Sequence, residues 1–445
     1  MDQVWAGRRL HFVGIGGAGM SGLALVAHAL GAHISGSDRA AGSPYGGPLL
    51  AAGILPTEGH AAENVPEGAD LVYSSAIGPD NPERAVARER GLRELHRADL
   101  LGELTRLKPT IAVSGTHGKT TTSSMIVHAL RGAGMDPSYL VGGEVRSTGA
   151  NAGWGTGEWL VVEADESDRS LLKLSSRIAV VTNAELDHHA TYTSLRDVHA
   201  TFAEFLGHAE YPVVWDRPDL LALAGPGAIA FDADPVLSAT GSRFAWEGIE
   251  VALPLPGAHN ARNAAAALTA CRLAGADPAA AAAALADFSG AGRRFERLGH
   301  TAQGAEVIDD YAHHPTEVRA TLEAARTLEP RRVVAVFQPH LFSRTRHQAR
   351  EFGGALALAD LAVVTDVYPA RERAEDHPGV TGRLVAAAAA DAGGGRPVAW
   401  LPGFDEAEAF LRSELREGDL VLTLGAGNVD ALGRRLLAGA ESTGE

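Results

Sequence analysis

Cysteine is almost missing from this chain. Its 445 residues include one, Cys271, so no internal disulfide can brace the fold. Its setting in the run AAAALTACRLAGA reads as a small buried helix residue rather than a reactive thiol. Long apolar runs are missing too: no uninterrupted stretch reaches the roughly 18 residues that suggest a membrane span. The opening MDQVWAGRRLHFVGIGG has no secretory pattern, and the expectation is a cytoplasmic protein. Positive charge is scarce, with 39 Lys and Arg against 55 Asp and Glu, a formal charge of −16. Such a field repels nucleic acid and anionic membranes. It leaves small anions open, because a local cluster of cations and amides outweighs a distant field that salt screens within roughly 8 to 10 Å. Internal repeats and long linkers are also absent, and the tail AGAESTGE is expected to fray.

What remains is the composition of a globular protein, 45% apolar and 21% charged, and a length beyond what one hydrophobic core supports. Short apolar runs recur, each followed by a Gly-rich or polar turn and an Ala/Leu-rich segment. LHFVGIGGAG, PTIAVSGTHG, WLVVEADESD, IAVVTNAELDH, RRVVAVFQPH, LAVVTDVYP and DLVLTLGAGN follow this rhythm. It predicts βαβ units and mostly parallel sheets, an α/β fold in which ligands bind outside the carboxyl ends of the strands. Breaks near LTRLKPT (104–110) and FSGAGRRFERLG (288–299) divide the chain into three domains, 1–106, 107–291 and 292–445. Residues 216–250, irregular in period, read as loops and short strands.

Two glycine-rich loops carry the chemistry. Gly14-Ile15-Gly16-Gly17-Ala18-Gly19 follows a strand-like run and fits G-x-G-x-x-G, with Asp38 nineteen residues after Gly19. Its glycines let backbone N–H groups approach a diphosphate at a helix N-terminus, whether the diphosphate belongs to a dinucleotide or to a UDP-sugar. A ligand-free strand-to-helix turn is the bland alternative, and a dehydrogenase using NAD(P) is the rival enzyme. In VSGTHGKTTT, Gly115, Thr116, His117, Gly118, Lys119, Thr120 and Thr121 supply a phosphate loop: amide donors, a point cation and a hydroxyl for Mg²⁺. Val113 stands where an ordinary P-loop has its first glycine, so the loop is shortened. A chance GKT on a surface turn is the bland reading, and the order strand, loop, helix speaks against it. Glu163, ending WLVVE, and His188, in AELDHHATY, are further candidate metal ligands, expected at the same sheet edge. Singly, each is more often a salt-bridge or hydrogen-bond partner.

These stretches together resemble the Mur ligase family of ATP-dependent amide-forming enzymes, most closely its alanine-adding branch. FVGIGGAGMSGLA, VYSSAIGPDNPE, SGTHGKTTT, VEADESD, VVTNAELDHH, PGAHNARNAAAA, GAGRRFERLG, IDDYAHHPTEV, FQPHLFSRTR and LTLGAGNV carry the resemblance through nearly the whole chain. It implies a Rossmann-like first domain for UDP-N-acetylmuramate, a central P-loop ATPase-like domain and a Rossmann-like third domain. ATP, L-alanine and two Mg²⁺ ions would be the other reactants and cofactors, with no nucleic acid or membrane partner. Monomer and homodimer both stay open.

Residue by residue, the resemblance puts Lys119 on the ATP phosphates, Thr120 and Glu163 on one Mg²⁺ and His188 on a second. Asn260 and Asn263 would face the adenine, Arg294 the nucleotide, and Asp309 or Asp310 its ribose or phosphates. Gly14, Gly16, Gly17, Gly19, Met20 and Ser21 would line the UDP diphosphate loop, with Asp38, Ser74 and Ser75 nearby. Tyr311, His313 and Arg344 would meet the amino acid. Bland readings compete: Asn260 and Asn263 as caps of the following helix, His313 and His314 as turn residues, Arg344 and Arg346 as a solvated basic face. Two departures stand out, Leu341 where many relatives carry Arg, and DHHA in place of the frequent DHMD. The implied chemistry is phosphorylation of the lactyl carboxylate of UDP-N-acetylmuramate, then attack by the alanine amine, with His188 or His313 as candidate base. Attachment of a ready-made tripeptide to the same sugar is the rival within the family.

Overall fold

The structure, a computed structural model, describes residues 4–39, 45–189 and 191–437; the tail 438–445 lies outside them. The chain packs as two compact units, one of 1–186, 193–232 and 263–289, the other of 187–192, 233–262 and 290–445.

The first unit holds two sheets. One has five parallel strands in the order Thr57–Glu58, His33–Asp38, Arg9–Val13, Asp70–Tyr73, Glu94–His96. Strand order reverses at Arg9–Val13, and the loop Gly14–Gly19 leaves its carboxyl end, the place where open α/β sheets bind ligands. The second sheet has seven strands. At its centre Thr110–Ser114 lies between Ile178–Val181 and Leu160–Glu163, all parallel, and only the edge strand Ala150–Gly153 runs antiparallel. Central strands buried on both faces must be apolar throughout, and Ile111, Val113, Leu160, Val162, Ile178 and Val180 are fully buried. At about 1.5–3 kcal/mol per buried aliphatic side chain, this pattern fixes the register from which the next loop departs.

The second unit holds an antiparallel three-stranded sheet, Val236–Ser238, Gly241–Trp246 and Ile249–Leu253. Its six-stranded sheet has Arg332–Phe337 and Asp419–Leu424 at the centre, with Glu296–His300 antiparallel at one edge. All seven chemistry-bearing runs read from the sequence are parallel strands. The irregular stretch 216–250 does carry short strands, together with one helix, Pro218–Ala224. Cys271 is fully buried in the helix Ala258–Leu273, and burial pushes its thiol well up, as expected of an inert residue.

Candidate functional site

The phosphate loop leaves the carboxyl end of Thr110–Ser114 and ends where the helix Lys119–Gly132 begins. Gly115 has φ +130°, and a Cβ there would lie 2.1 Å from Thr182 Oγ1, so no larger residue fits. The loop is held from the neighbouring strand's end: His117 N–H donates to Asn183 Oδ1 (2.9 Å), Asn183 Nδ2 donates to His117 O (3.0 Å), and Thr116 Oγ1 donates to Glu185 O (3.1 Å). Lys119 Nζ donates to Gly115 O (2.7 Å) and Thr116 O (3.2 Å) and pairs with Glu166 at 3.0 Å. Burial works to lower the Lys119 pKa, but the carboxylates of Glu166, Glu163 and Asp165 override it and hold it above its ordinary value. The ammonium therefore remains a fixed cation.

Thr120, the second residue of that helix, is buried, and its hydroxyl makes no hydrogen bond among the described residues. Glu163 sits beside Val113 in register. Its Oε2 accepts the Gly142 N–H (2.8 Å), and a Cβ on Gly142 would lie 2.6 Å from Oε1. A free hydroxyl and a partly committed carboxylate are hard oxygen donors, a set that suits Mg²⁺. Asn263 lies against this loop: a Cβ on Gly118 would be 2.7 Å from its Oδ1. The capping alternative for the two asparagines fails, because the helix starts at Ala258 and both lie inside it. Asn260 instead turns back, its Nδ2 donating to Pro256 O (2.8 Å).

In the first sheet, Gly14 N–H and Ile15 N–H donate to Ser37 O, and Gly16 N–H donates to Asp38 Oδ2 (2.8 Å). Asp38 thus braces the glycine loop itself. The helix Ala18–Ala29 starts with no side-chain cap and no acid in its first turn, which leaves its N-terminal field available to an anion. Asn151 Nδ2 ties this turn to the second sheet, donating to Ala18 O (2.7 Å) and Ser21 Oγ (3.3 Å). Met20 is buried beneath, while Ser75 donates to Asp168 Oδ2 (3.1 Å) and Ser74 O accepts Ile77 N–H. Gly17 and Gly19 lie at the loop's end, Gly19 beside Arg97.

The second unit gathers Tyr311, His313, His340 and Arg344. The rings of Tyr311 and His313 are 5.3 Å apart, those of His313 and His340 6.0 Å, and Arg344 Nη1 reaches His340 Nδ1 at 3.3 Å. Burial drives the His313 pKa down to about 3 and that of His340 to about 4, so both rings are neutral near pH 7 and His313 is a weak base in this arrangement. Arg344 is 3% exposed, and its fork grips the Asp187 carboxylate, with Nε–Oδ1 at 3.1 Å and Nη2–Oδ2 at 3.0 Å. The solvated-face alternative for Arg344 is thereby excluded. His188, next in the chain, has φ +52° and Nε2 at 3.8 Å from Asp187 Oδ2. Asp309 is fully buried and bonded to Arg293 Nε (2.9 Å) and Thr423 Oγ1 (2.7 Å). Asp310 accepts the Phe295 and Ala312 N–H groups, and burial raises its pKa to about 6. Arg294 lies over the Tyr311 ring at 5.0 Å, with Glu317 at 3.8 Å. Leu341 starts its helix at φ +69° and is 8% exposed.

Sequence reasoning gave no role to Asn183, Glu166, Asp165, Asp168, Arg97, Asp187 or His340. All but Arg97 lie inside a stretch with signal; VEADESD contains four acids, of which only Glu163 was singled out.

Comparison with known proteins gives three family matches in series: "Mur ligase family, catalytic domain" over 9–109, "Mur ligase middle domain" over 113–271, and "Mur ligase, glutamate ligase domain" over 293–427. A UDP-N-acetylmuramate–L-alanine ligase of Streptomyces avermitilis is 44% identical, covering 96% of this chain and 97% of its own. Among solved structures, the UDP-N-acetylmuramate-alanine ligase of Thermotoga maritima superposes with a TM-score of 0.84 at 28% identity, over 98% of this chain and all of its own. A murein peptide ligase from Psychrobacter arcticus shares the fold, with a TM-score of 0.72 at 24% identity over 99% of this chain and all of its own. No helix among the described residues is long and apolar enough to cross a membrane.

Proposed function

The chain belongs to the Mur ligase family, with that family's three-domain α/β architecture, and on this premise we propose that it joins L-alanine to the lactyl carboxylate of UDP-N-acetylmuramate with hydrolysis of ATP to ADP and phosphate. One observation carries the reading. Two glycine-rich loops, Gly14–Gly19 and Gly115–Lys119, leave strand ends within one packed unit, and the acidic stretch Glu163–Asp168 is paired to Arg97 beside the first and to Lys119 of the second. The 44% identity to an alanine-adding relative supports the choice of substrates.

In this proposal Lys119 binds the transferred phosphoryl group and the loop's N–H groups bind its neighbours, so positioning and charge neutralisation supply most of the catalysis. Thr120 and Glu163 would hold Mg²⁺, which when bound spreads the phosphate charge. The carboxylate oxygen attacks the γ-phosphorus, the bond to the ADP oxygen breaks, and an acyl phosphate forms. The alanine nitrogen then adds to the acyl carbon, loses a proton, and inorganic phosphate leaves. His313, held near 3, is a weak base, which leaves His188 as the other candidate for that proton. Tyr311, His313 and His340 surround the space proposed for the amino acid.

The test is phosphate release from ATP and Mg²⁺ with UDP-N-acetylmuramate, comparing no amine, L-alanine and L-Ala-γ-D-Glu-meso-diaminopimelate. Release that depends on L-alanine, with the amide identified by mass, is the expected result. Release only with the tripeptide would overturn the choice of amine, and release with neither would overturn the ligase reading.

A further inference from the structure

The stretch Glu163–Asp168 places four carboxylates within six residues, and two cations pair with three of them. Lys119 takes Glu166. Arg97, the first residue of the helix Arg97–Leu104, takes two others: its Nη2 is 2.7 Å from Asp165 Oδ2 and 3.1 Å from Asp168 Oδ2. Backbone amides complete the hold, with Ser167 N–H on Asp165 Oδ1 (2.9 Å) and Ser170 N–H on Asp168 Oδ1 (3.0 Å).

The other edge of the same guanidinium faces the first sheet. Arg97 Nη1 stands 3.5 Å from the position a Cβ on Gly19 would take, at the last glycine of the diphosphate loop. Asp168 also accepts the Ser75 hydroxyl from that side (3.1 Å). A chain of contacts therefore runs from Gly19 and Ser75, through Arg97 and Asp168, along the acidic loop to Glu166 and Lys119. It joins the loop assigned to the acceptor substrate with the loop assigned to ATP. Arg97 reaches neighbours of both loops at once, and Asp168 ties Ser75 to it.

We propose that Arg97 is a positioning residue for the ligase reaction: its fork sets the acidic loop against the glycine-rich loop, so that seating the acceptor's diphosphate and aligning Lys119 with ATP are coupled through one guanidinium. The inference rests on the ligase reading above. Both carboxylates bond one guanidinium nitrogen, Nη2, which leaves Nη1 on the other edge for a third partner, and an ammonium, with a single nitrogen, has no second edge to present there.

The experiment uses the full chain in the phosphate-release assay, with KM for UDP-N-acetylmuramate and for ATP, kcat, and melting temperature measured for wild type, Arg97→Ala, Arg97→Lys and Asp168→Asn. Activity of the wild type decides the ligase reading by itself; the variants decide the role of Arg97. Arg97→Ala should raise the acceptor KM roughly tenfold and lower kcat by about 10² while ATP's KM moves less than about threefold, as expected when a group aligns reactants. Arg97→Lys should recover the acceptor KM more than kcat, since it keeps the charge and loses the fork. If Arg97→Ala does not fold, Arg97→Lys and Asp168→Asn carry the test, and both should lower kcat at nearly unchanged melting temperature. Variants with lowered melting temperature but wild-type kcat and KM would make this a structural ion pair and overturn the proposal, as would full rescue of kcat by lysine.

Discussion

At the scale of single residues, the cost of separating charge from its partner decides the behaviour of Arg344 and Asp187. Both side chains are 4% exposed, and the bidentate pair leaves neither charge alone. Removing one partner of such a pair costs about 3–5 kcal/mol, because the remaining ion is buried unpaired. Arg344→Ala should therefore destabilise the chain by about that amount in denaturant unfolding. Adding Asp187→Asn should restore much of the loss, since a neutral amide removes the stranded charge. Losses that simply add would show that the two residues do not act as a pair. The same pairs explain what was legible in the sequence. Gly115, Lys119 and Thr120 could be read because their geometry is local, a turn and the first residues of a helix. Glu166, Arg97 and Asp187 could not, because their partners lie 47, 68 and 157 positions away and only folding brings them together.

At the scale of elements, the neighbouring strand decides how much freedom a candidate metal ligand has. Glu163 ends one strand, and the strand Ser138–Val145 beside it presents Gly142, whose N–H fixes Oε2 and whose missing side chain leaves room for the carboxylate. Gly142→Ala would place a carbon 2.6 Å from Oε1, so the carboxylate must rotate away from its present position. The expected result is a kcat lower by about 10¹ to 10², with a raised Mg²⁺ requirement and a melting temperature lowered by only a few degrees, as when a metal ligand shifts while the core stays packed. Unchanged Mg²⁺ dependence would remove Glu163 from the metal site. Elements also decide between alternatives that the sequence leaves open. The capping alternative for Asn260 and Asn263 supposes that the helix follows them. It starts earlier, at Ala258 just after Gly257 with φ +96°, which turns both amides from caps into residues of the first and second turns. The strands were legible because burial on both faces demands continuous apolar runs, a constraint that leaves its mark in composition as well as in position.

At the scale of the whole molecule, the formal charge of −16 opposes the arrival of both anionic substrates, while Lys119, Arg97 and the two uncapped loops attract them only at short range. The two effects differ in their response to salt. Raising ionic strength from about 0.01 M to 0.15 M shortens the screening length from roughly 30 Å to 8 Å, which weakens the long-range repulsion much more than contacts inside the site. The kcat/KM for UDP-N-acetylmuramate should therefore rise over that interval, and the same parameter for zwitterionic L-alanine should stay nearly constant, a control within one enzyme. A monotonic fall for the UDP-sugar would mean that local attraction extends beyond the loops and governs capture from a distance. A parallel rise for alanine would point to salt acting on the protein and not on the encounter. The acidic surface would then bear on the fold's own stability, through self-repulsion among its 55 carboxylates, and the loops alone would set the affinity for the anions.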